Sequence, residues 1–354
     1  MNPSPRICVL GGCGAMGRVI VKCLRRLNPR LRVTVADRQP PTSLPPKVRF
    51  AKVDLRKHAA LVRVLRGHVA VINSTSHHFN LPVMRAALDA RIHYLDLGGL
   101  FHYTRRQLKL DRAFRQKGLC AVLGMGCAPG IANLLARWAA EAMECVKQIH
   151  IKVGGRTWGP VSDAMPYAVG TIREELMLKP AIYHNGQWRF EKPRSGVEHF
   201  PFPSPVGRQK IFRTIHSEVA TLPRSFKGVR ESSFRIGFPD NIIRAALGKK
   251  PKFPISNFKS QISNPRDCEI TLALVRGCSG AKNISRIAYC TAFSSGEHSA
   301  GDWDTAWPPA IVTDMLARGE INRAGVFAPE NVVPLEKFLP RLRRVGFHIS
   351  QKRM

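Results

Sequence analysis

Acidic residues are scarce in this chain of 354 residues. Only 24 are Asp or Glu, against 56 Lys or Arg, so the formal net charge is +32. A surface this basic is expected to bind nucleic acid and other polyanions without sequence preference at low salt. The basic residues are spread along the whole chain, and the sequence lacks zinc-finger spacing and the aromatic–basic alternation of an RNA-binding sheet. The alternative to a polyanion-binding surface is a general bias of composition toward Arg and Lys.

Long hydrophobic runs are also missing, and so is a recognisable signal peptide. The nine cysteines form no Cys-x-x-Cys pair and no Cys/His spacing of a zinc site. We therefore expect a cytoplasmic protein that contacts no membrane, binds no metal and keeps its cysteines as free thiols. Its 44% hydrophobic and 23% charged residues are ordinary for a globular protein, and its length suffices for two domains.

The chain does have a glycine-rich turn between a predicted strand and a predicted helix. Residues 7–10 are apolar, residues 11–17 read Gly-Gly-Cys-Gly-Ala-Met-Gly, and residues 18–24 have a helical pattern. Strand, G-x-G-x-x-G and helix together form the dinucleotide-binding fingerprint. We assign the tight turn to Gly12, the close approach of the pyrophosphate to Gly14, and helix–strand packing to Gly17. The bare N–H groups of the helix start, around Ala15 and Met16, would then face the phosphates. A tight turn without a ligand is the alternative.

An acidic residue follows at the distance that a ribose contact requires. The second apolar run, residues 31–36, ends in Asp37. A carboxylate there accepts a hydrogen bond from the ribose 2′-hydroxyl and repels a 2′-phosphate, which favours NAD. Arg38 comes next and would hold that phosphate if the loop turned it inward, so NADP is the alternative cofactor.

The first 130 residues alternate strand and helix patterns, which predicts a doubly wound parallel sheet. Such sheets bind ligands beyond the carboxyl ends of their strands, which selects Asn73, Asp96 and residues 124–130. After residue 145 the apolar pattern has a period of two, at 149–153, 211–215, 233–237 and 269–275, which predicts a mixed or antiparallel sheet. The last fifty residues return to helix.

Several motifs resemble one enzyme family. They are residues 9–17, Asn73 with residues 79–80, residues 94–99 (Tyr-Leu-Asp-Leu-Gly-Gly), residues 124–133 (Gly-Met-Gly-Cys-Ala-Pro-Gly-Ile-Ala-Asn), residues 221–226 and residues 318–330. With them the chain resembles the saccharopine dehydrogenase-like nicotinamide oxidoreductases, most closely the lysine 6-dehydrogenase branch.

The resemblance implies an α/β fold in three segments. Residues 1–130 would form a Rossmann dinucleotide-binding domain, and residues 131–304 an α+β substrate-binding and dimerisation domain. Residues 305–354 would form helices that return to pack on the Rossmann domain. A homodimer with a small amino-acid substrate is expected.

The implied reaction removes a hydride from a carbon that bears an amine and gives an imine, which water hydrolyses. On the cofactor side, Cys127 lies near the dinucleotide, while Pro129 and Gly130 bring backbone against the nicotinamide. Asn73 and Asn133 would hydrogen-bond its carboxamide or ribose. A local helix-cap contact is the alternative for Asn133, and simple packing is the alternative for Cys127.

The reaction needs a group that exchanges protons near pH 7. Among the candidate histidines 77, 78, 102 and 216, His216 ranks first by its resemblance to a histidine of lysine 6-dehydrogenases, followed by His77 with its neighbour. Asp96 would orient the substrate ammonium or transfer a proton, and a turn aspartate bonded to the Gly98 and Gly99 amides is the alternative.

Two charged side chains are candidates for holding the substrate. Arg224 would grip its carboxylate in a bidentate pair, against the alternative of one more surface arginine. Glu174, with Glu175 beside it, would meet the distal ammonium of a lysine-like substrate, against the alternative of a helix-face salt bridge.

Three functions therefore remain open. The first is NAD(P)-dependent oxidative deamination of a lysine-like amino acid. The second is reductive amination of the saccharopine or carboxynorspermidine dehydrogenase type, which joins an amine to an aldehyde acid. The third, suggested by the charge, is a non-catalytic Rossmann protein that binds polyanions.

Overall fold

The structure is a computed structural model that describes residues 4–158, 167–248 and 266–354. It contains two compact units, which we call the first and the second unit. The first unit comprises Met1–Gly126 and Thr305–Leu342, and the second comprises Cys127–Asp304 and Arg343–Met354. The segment predicted at 305–354 is thus divided, because its last residues form a strand that pairs within the second unit. In the described part of the chain, no helix has the length and apolar character needed to cross a membrane.

The first part of the chain alternates strands and helices in the predicted way. The elements are β1 (Arg6–Leu10), α1 (Ala15–Leu27), β2 (Arg32–Asp37), β3 (Val48–Lys52), α2 (His58–Leu65), β4 (Ala70–Asn73), α3 (Asn80–Ala90), β5 (His93–Asp96), α4 (Leu100–Gln107), α5 (Asp111–Gln116) and β6 (Cys120–Val122), with short 3-10 turns at His77–Phe79 and Leu108–Leu110.

The middle of the chain is dominated by strands. Its elements are α6 (Ile131–Ala140), β7 (Cys145–Thr157), α7 (Val169–Met177), β8 (Ala181–His184), β9 (Gln187–Phe190), β10 (Glu198–Pro201), β11 (Arg208–Arg213), α8 (Glu218–Ser225), β12 (Glu231–Ile236), α9 (Asp240–Leu247), β13 (Asp267–Ser279) and β14 (Lys282–Phe293).

The last part of the chain returns to helix, with two further strands. It comprises α10 (Ala300–Ala317), β15 (Gly325–Phe327), α11 (Pro329–Val332), α12 (Leu335–Arg344) and β16 (His348–Arg353).

The first unit contains a parallel sheet in the order β15-β6-β5-β4-β1-β2-β3. The chain winds outward from β1 in both directions, so the order reverses between β1 and β4, as in doubly wound dinucleotide-binding folds. Strand β4 is buried along its whole length, as expected for a parallel sheet covered by helices on both faces. The predicted fold of this segment is confirmed, and the sheet gains β15, which the apolar pattern did not reveal because it is only three residues long.

The second unit contains a mixed sheet in the order β10-β11-β12-β7-β13-β14-β16, to which β8 and β9 attach through β12. Strands β12 and β7 pair in parallel, whereas β7, β13, β14 and β16 are antiparallel. The predicted mixed sheet is confirmed. The expectation that all cysteines are free is wrong for Cys145 and Cys278, which sit opposite each other on β7 and β13 and form a disulfide.

Helix α1 packs on the first sheet through a very close contact at Gly17. A Cβ atom added to Gly17 would lie 2.2 Å from the Gly11 carbonyl oxygen and 2.6 Å from the Gly12 Cα. Both neighbours are backbone atoms, so neither can turn away as a side chain would. The role assigned to Gly17 from the sequence, close packing of helix on strand, is therefore the one that the structure requires.

Substitution Gly17→Ala is expected to destabilise the protein by about 1–3 kcal/mol, because the added methyl group must displace backbone in a packed turn. The measurement is the free energy of unfolding in denaturant. The matched control is Gly170→Ala in α7, where a Cβ meets nothing within 4 Å. That control should be neutral or stabilising, since alanine favours helix over glycine. Equal stability of the two variants would contradict the packing argument.

Candidate functional site

The carboxyl ends of β1, β2, β4 and β5 lie side by side in the first unit. In the parallel register Leu10 pairs with Ala36 on one side and with Asn73 on the other, and Asn73 pairs with Asp96. The glycine-rich turn, Asp37, Asn73 and Asp96 therefore line one edge of the sheet. This is the edge where doubly wound sheets bind their ligands.

The turn after β1 exposes the start of α1. Gly11 has a φ of +72° and donates its N–H to the Ala36 carbonyl, while the Gly14 N–H bonds the Gly11 carbonyl. Gly12 lies in the tight turn, as predicted, and the residue of the turn with a left-handed conformation is Gly11. A Cβ on Gly12 would instead strike Val35 at 2.8 Å. Gly14 is the N-cap residue of α1 and supplies no capping side chain, and the first turn contains no acidic residue.

This turn fits a dinucleotide pyrophosphate. The first N–H groups of a 13-residue helix have no side-chain cap, and they carry the positive end of the helix dipole. Ala15 and Met16 open that helix directly after Gly14. A phosphate would take the place of the missing cap. The residues present therefore suit the cofactor that the sequence predicts.

Asp37 stands at the end of β2 next to this turn. Its carboxylate accepts hydrogen bonds from the backbone N–H of Cys13 at 3.2 Å and of Arg38 at 2.7 Å. The carboxylate thus braces the glycine-rich turn at the position expected for a ribose contact. The Arg38 side chain is exposed.

Asn73 and Asp96 sit in a buried polar network beyond β4 and β5. Asn73 donates to the Asn80 side chain at 2.9 Å. Asp96 accepts hydrogen bonds from Tyr94, Gln107, and the backbone N–H groups of residues 98 and 124. Burial raises the pKa of Asp96 although these four donors oppose the shift. The bond to the residue-98 amide is the turn contact that the sequence analysis gave as the alternative.

His77 lies in the short 3-10 turn that follows β4. It is 6% exposed, and its ring centroid is 4.3 Å from that of His78 and 4.9 Å from that of Tyr103. His78 shares a 2.6 Å hydrogen bond with the Tyr103 hydroxyl. The two histidines therefore belong to an aromatic group at the edge of the first unit's sheet, and the structure does not test a proton-transfer role.

The motif at residues 127–133 opens the second unit. Gly130, at a φ of +125°, is the N-cap of α6, and its N–H donates to the Asn133 side chain at 3.1 Å. Pro129 follows a cis peptide bond. Asn133 also donates to Thr221 at 3.3 Å. Asn133 thus makes the local cap contact that was its alternative role and ties α6 to α8.

Cys127 belongs to what we call the cysteine–carboxylate cluster, Cys127 with Thr271, Glu269 and Asp304. The thiol lies 2.8 Å from the Thr271 hydroxyl and 3.5 Å from the Glu269 carboxyl. Asp304 hydrogen-bonds both the Glu269 carboxyl and the thiol. Burial raises the pKa of Glu269 and places that of Cys127 well above its usual value. The thiol is therefore a packed, protonated group at neutral pH.

His216 lies in a second group, the histidine–carboxylate cluster of Tyr167, Glu175, His216 and Glu218. His216 Nδ1 is 2.6 Å from Glu218 Oε2, and its Nε2 is 3.7 Å from Glu175 Oε1. The Tyr167 hydroxyl donates to Glu175 Oε2 at 2.6 Å. The side chains of Glu175, His216 and Glu218 are 4%, 7% and 0% exposed. Two carboxyl groups and an imidazole are thus held together out of water, and the Tyr167 hydroxyl is bonded to them.

The ionisation of this cluster is strongly perturbed. Burial raises the pKa of Glu175 to about 7, against opposing effects of the His216 charge and the Tyr167 hydrogen bond. Burial alone would lower the pKa of His216, but the charge and hydrogen bond of Glu218 and the charge of Glu175 outweigh it, so the pKa is raised. The shift therefore favours the charged imidazolium form of His216, and Glu175 is the group close to half-ionised at pH 7.

The two predicted substrate contacts lie elsewhere in the second unit. Arg224 is an exposed residue of α8, with its guanidinium 4.9 Å from the centre of the Trp188 ring. Glu174 is half-buried on α7, and its neighbour Glu175 is the residue that enters the cluster. The structure tests neither substrate contact.

Sequence reasoning missed Glu218 and Glu269 and placed Asp304 at no site. A signal existed for Glu218, since an acid two positions after a candidate histidine often lies within its reach. No local signal existed for Glu269 and Asp304, because they meet Cys127 from distant parts of the chain.

Comparison with known proteins agrees with the geometry. Residues 7–122 match the family model of the saccharopine dehydrogenase NADP binding domain. The chain is 22% identical to carboxynorspermidine synthase from Vibrio alginolyticus, covering 84% of this chain and 81% of that protein. It is also 22% identical to carboxyaminopropylagmatine dehydrogenase from Synechocystis sp., covering 85% and 84%.

The fold is shared with a solved structure. Saccharopine dehydrogenase (L-Glu forming) from Saccharomyces cerevisiae superposes with a TM-score of 0.71 at 14% identity, covering 99% of this chain and 100% of that one. The predicted resemblance to the saccharopine dehydrogenase-like family is thus confirmed. The named relatives are of the carboxynorspermidine type, the alternative in the sequence analysis, and not of the lysine 6-dehydrogenase branch.

Substitution Glu175→Gln is expected to change stability in a pH-dependent way. The folded-state pKa of about 7 lies above the ordinary glutamate value of 4.5, so the folded protein binds the extra proton between these values. The stabilisation that protonated Glu175 contributes is therefore lost as the pH rises from 4.5 to about 7. The free energy of unfolding of the variant, relative to that of the wild type, should therefore increase by about 2–3 kcal/mol when the pH is raised from 5 to 8. Denaturant unfolding at both pH values measures this gain, and a difference that is independent of pH would contradict it.

Proposed function

We propose that the chain is an NAD(P)-dependent oxidoreductase that forms the C–N bond between an amine and an aldehyde acid by reductive amination. The main observation in support of the cofactor is the uncapped start of α1 at Gly14, beside the Asp37 carboxylate. This arrangement suits the pyrophosphate and ribose of a dinucleotide. The choice of C–N chemistry is supported by the relatives, whose names describe carboxylated amines.

The proposed reaction balances with one cofactor. A primary amine and an aldehyde acid lose water to give an imine, and the imine carbon then receives a hydride. With reduced nicotinamide and one proton, the products are a secondary amine, oxidised nicotinamide and water. The dinucleotide supplies the hydride, and the protein must accept and donate protons at the nitrogen and at the leaving oxygen.

Oxidative deamination of a lysine-like amino acid remains the second candidate. It uses the same hydride transfer in the reverse direction and the same cofactor site. The relatives favour the reductive reaction, whereas only the motif resemblance favours deamination. Polyanion binding without catalysis is a third candidate, which the net charge of +32 supports.

A turnover assay distinguishes the candidates. Absorbance of reduced nicotinamide is followed with primary diamines and agmatine, each paired with short amino-acid semialdehydes, and in reverse with lysine and oxidised cofactor. We expect cofactor oxidation that requires both the amine and the aldehyde. Turnover of lysine alone would favour deamination. Absence of turnover, with DNA binding that is lost at moderate salt and no dinucleotide binding, would overturn the proposal.

Cofactor choice depends on Asp37, and we propose that NAD is preferred over NADP. Replacing the carboxylate by Asp37→Ser removes repulsion of a 2′-phosphate and should shift the ratio of dissociation constants toward NADP by about tenfold, or 1.4 kcal/mol. Calorimetric titration with both cofactors measures the ratio. Asp89→Ser, at a surface aspartate paired with His58 and Lys117, is the matched control. An unchanged ratio in Asp37→Ser would show that this carboxylate does not face the ribose.

A further inference from the structure

The histidine–carboxylate cluster holds the His216 ring in one orientation. The ring stacks on Phe234 at a centroid distance of 3.7 Å and an interplanar angle of 11°. Its Nδ1 is tied to Glu218 at 2.6 Å, so its Nε2 is directed to the side of Glu175, 3.7 Å away. That distance exceeds a hydrogen bond, so the two groups interact through charge. Small changes in either charge are therefore felt by the other.

Glu218 acts on the cluster through the imidazole. Its Oε2 bonds His216, and its Oε1 is buried without a hydrogen-bond partner among the residues that the structure describes. A buried carboxylate with one unsatisfied oxygen costs free energy and is retained where it serves a purpose. In this geometry the Glu218 carboxylate stabilises the protonated imidazole and fixes the position of its ring.

The groups that face Glu175 contain no cation other than His216 in the described part of the chain. Tyr167, Glu218 and Glu174 act on it from the loop, from α8 and from its own helix. The charges of Glu269 and Cys127 act on the Tyr167 hydroxyl. Helix α9 packs on α7 through apolar residues, including Ile172, Leu176 and Ala246. The charged residues of α9, Asp240 and Arg244, are exposed.

The imidazolium is therefore the cation that opposes the effect of burial on the pKa of Glu175. In a chain with 56 Lys and Arg, a carboxyl could easily have been paired with a permanent cation, which would have kept it ionised at all relevant pH values. A histidine between two carboxylates leaves Glu175 able to gain and lose a proton. Tyr167 is the one partly exposed residue of the cluster, and its hydroxyl donates to Glu175.

We propose that Glu175 is the group that takes up and returns protons during reductive amination, and that Glu218 is a positioning residue that keeps His216 as an imidazolium beside it. This inference rests on the proposed function. It moves the proton-exchange role from His216, the first choice from the sequence, to the carboxyl that His216 controls.

The proton balance is complete without any further reactant. The Glu175 carboxylate takes a proton from the substrate ammonium, by way of the Tyr167 hydroxyl, and leaves a neutral amine with a free electron pair. The amine adds to the aldehyde and gives a carbinolamine. The Glu175 carboxyl then returns its proton to the carbinolamine hydroxyl, which leaves as water, and an iminium ion forms. The iminium ion receives the hydride.

Protonation of His216 is tested first by a measurement that does not depend on activity. Imidazole ¹⁵N resonances are recorded at pH 7, and those of His216 are assigned by their loss in His216→Asn. We expect both ring nitrogens of His216 to be protonated in the wild type and the ring to become neutral in Glu218→Gln. A neutral His216 in the wild type, or an imidazolium that persists in Glu218→Gln, would overturn the positioning role even if no substrate is ever found.

The pH dependence of kcat/KM tests the role of Glu175. The acid limb of the wild-type profile should have its midpoint near 7. In Glu218→Gln the loss of the imidazolium charge outweighs the loss of Glu218 repulsion, so the midpoint should rise by about one pH unit. Activity should then fall about tenfold at pH 6 and recover at high pH. Glu175→Gln should abolish the limb and most of the activity.

A second variant keeps the test decisive if Glu218→Gln fails to fold. Tyr167→Phe removes both the donor to Glu175 and the proton relay, so kcat/KM should fall at every pH and the midpoint of the remaining activity should rise, while His216 stays protonated by ¹⁵N resonance. Glu231→Gln, a carboxylate of β12 that contacts Gln148, is the charge-matched control and should leave the profile unchanged. Activity loss without a shift of the midpoint in Glu218→Gln and Tyr167→Phe would show a purely structural role. No turnover in the wild type would instead count against the proposed function.

Discussion

Contact between two stretches of backbone, the start of α1 and the turn after β1, is the constraint on which the dinucleotide site depends. Gly17 allows the helix to approach the Gly11 carbonyl more closely than any side chain would permit. The approach brings the uncapped N–H groups of α1 to the edge of the sheet. Asp37 then braces the turn through the Cys13 amide. A phosphate site made from backbone needs this close packing, because a backbone N–H group must itself lie within hydrogen-bond distance of the phosphate.

Distribution of charge is the second organising feature. The chain has more than twice as many basic as acidic residues, yet the interior of the second unit gathers Glu175, Glu218 and Asp304 at under 5% exposure. Basic side chains are long and flexible and stay in water at low cost, so they accumulate at the surface. Buried carboxyl groups are costly and persist only with partners or a purpose. Their pKa values, not the surface charge, are what bear on chemistry.

Roles that depend on nearby residues were easier to predict from the sequence than roles that depend on packing. The packing role of Gly17 is observed, and the cofactor roles of Gly14 and Asp37 stay predictions, all three following from spacing within one strand–turn–helix unit. Gly12 lies in the turn to which it was assigned, but the left-handed conformation of Gly11 was not predicted, because a pair of adjacent glycines does not show which of the two needs it. Glu174 was chosen beside Glu175, since a helix pattern of nine residues could not show which of two adjacent acids turns inward.

The sequence by itself determined the parallel sheet, the mixed sheet and the dinucleotide turn. Apolar periodicity and glycine spacing are local, and the strand-to-helix order leaves few ways to wind the chain. Only the tertiary structure decided the partners of His216 and Cys127, the pairing of Cys145 with Cys278, and the strand that the last residues add to the second sheet. Contacts between residues far apart in the chain depend on how whole elements pack, and no short pattern of residues records that packing.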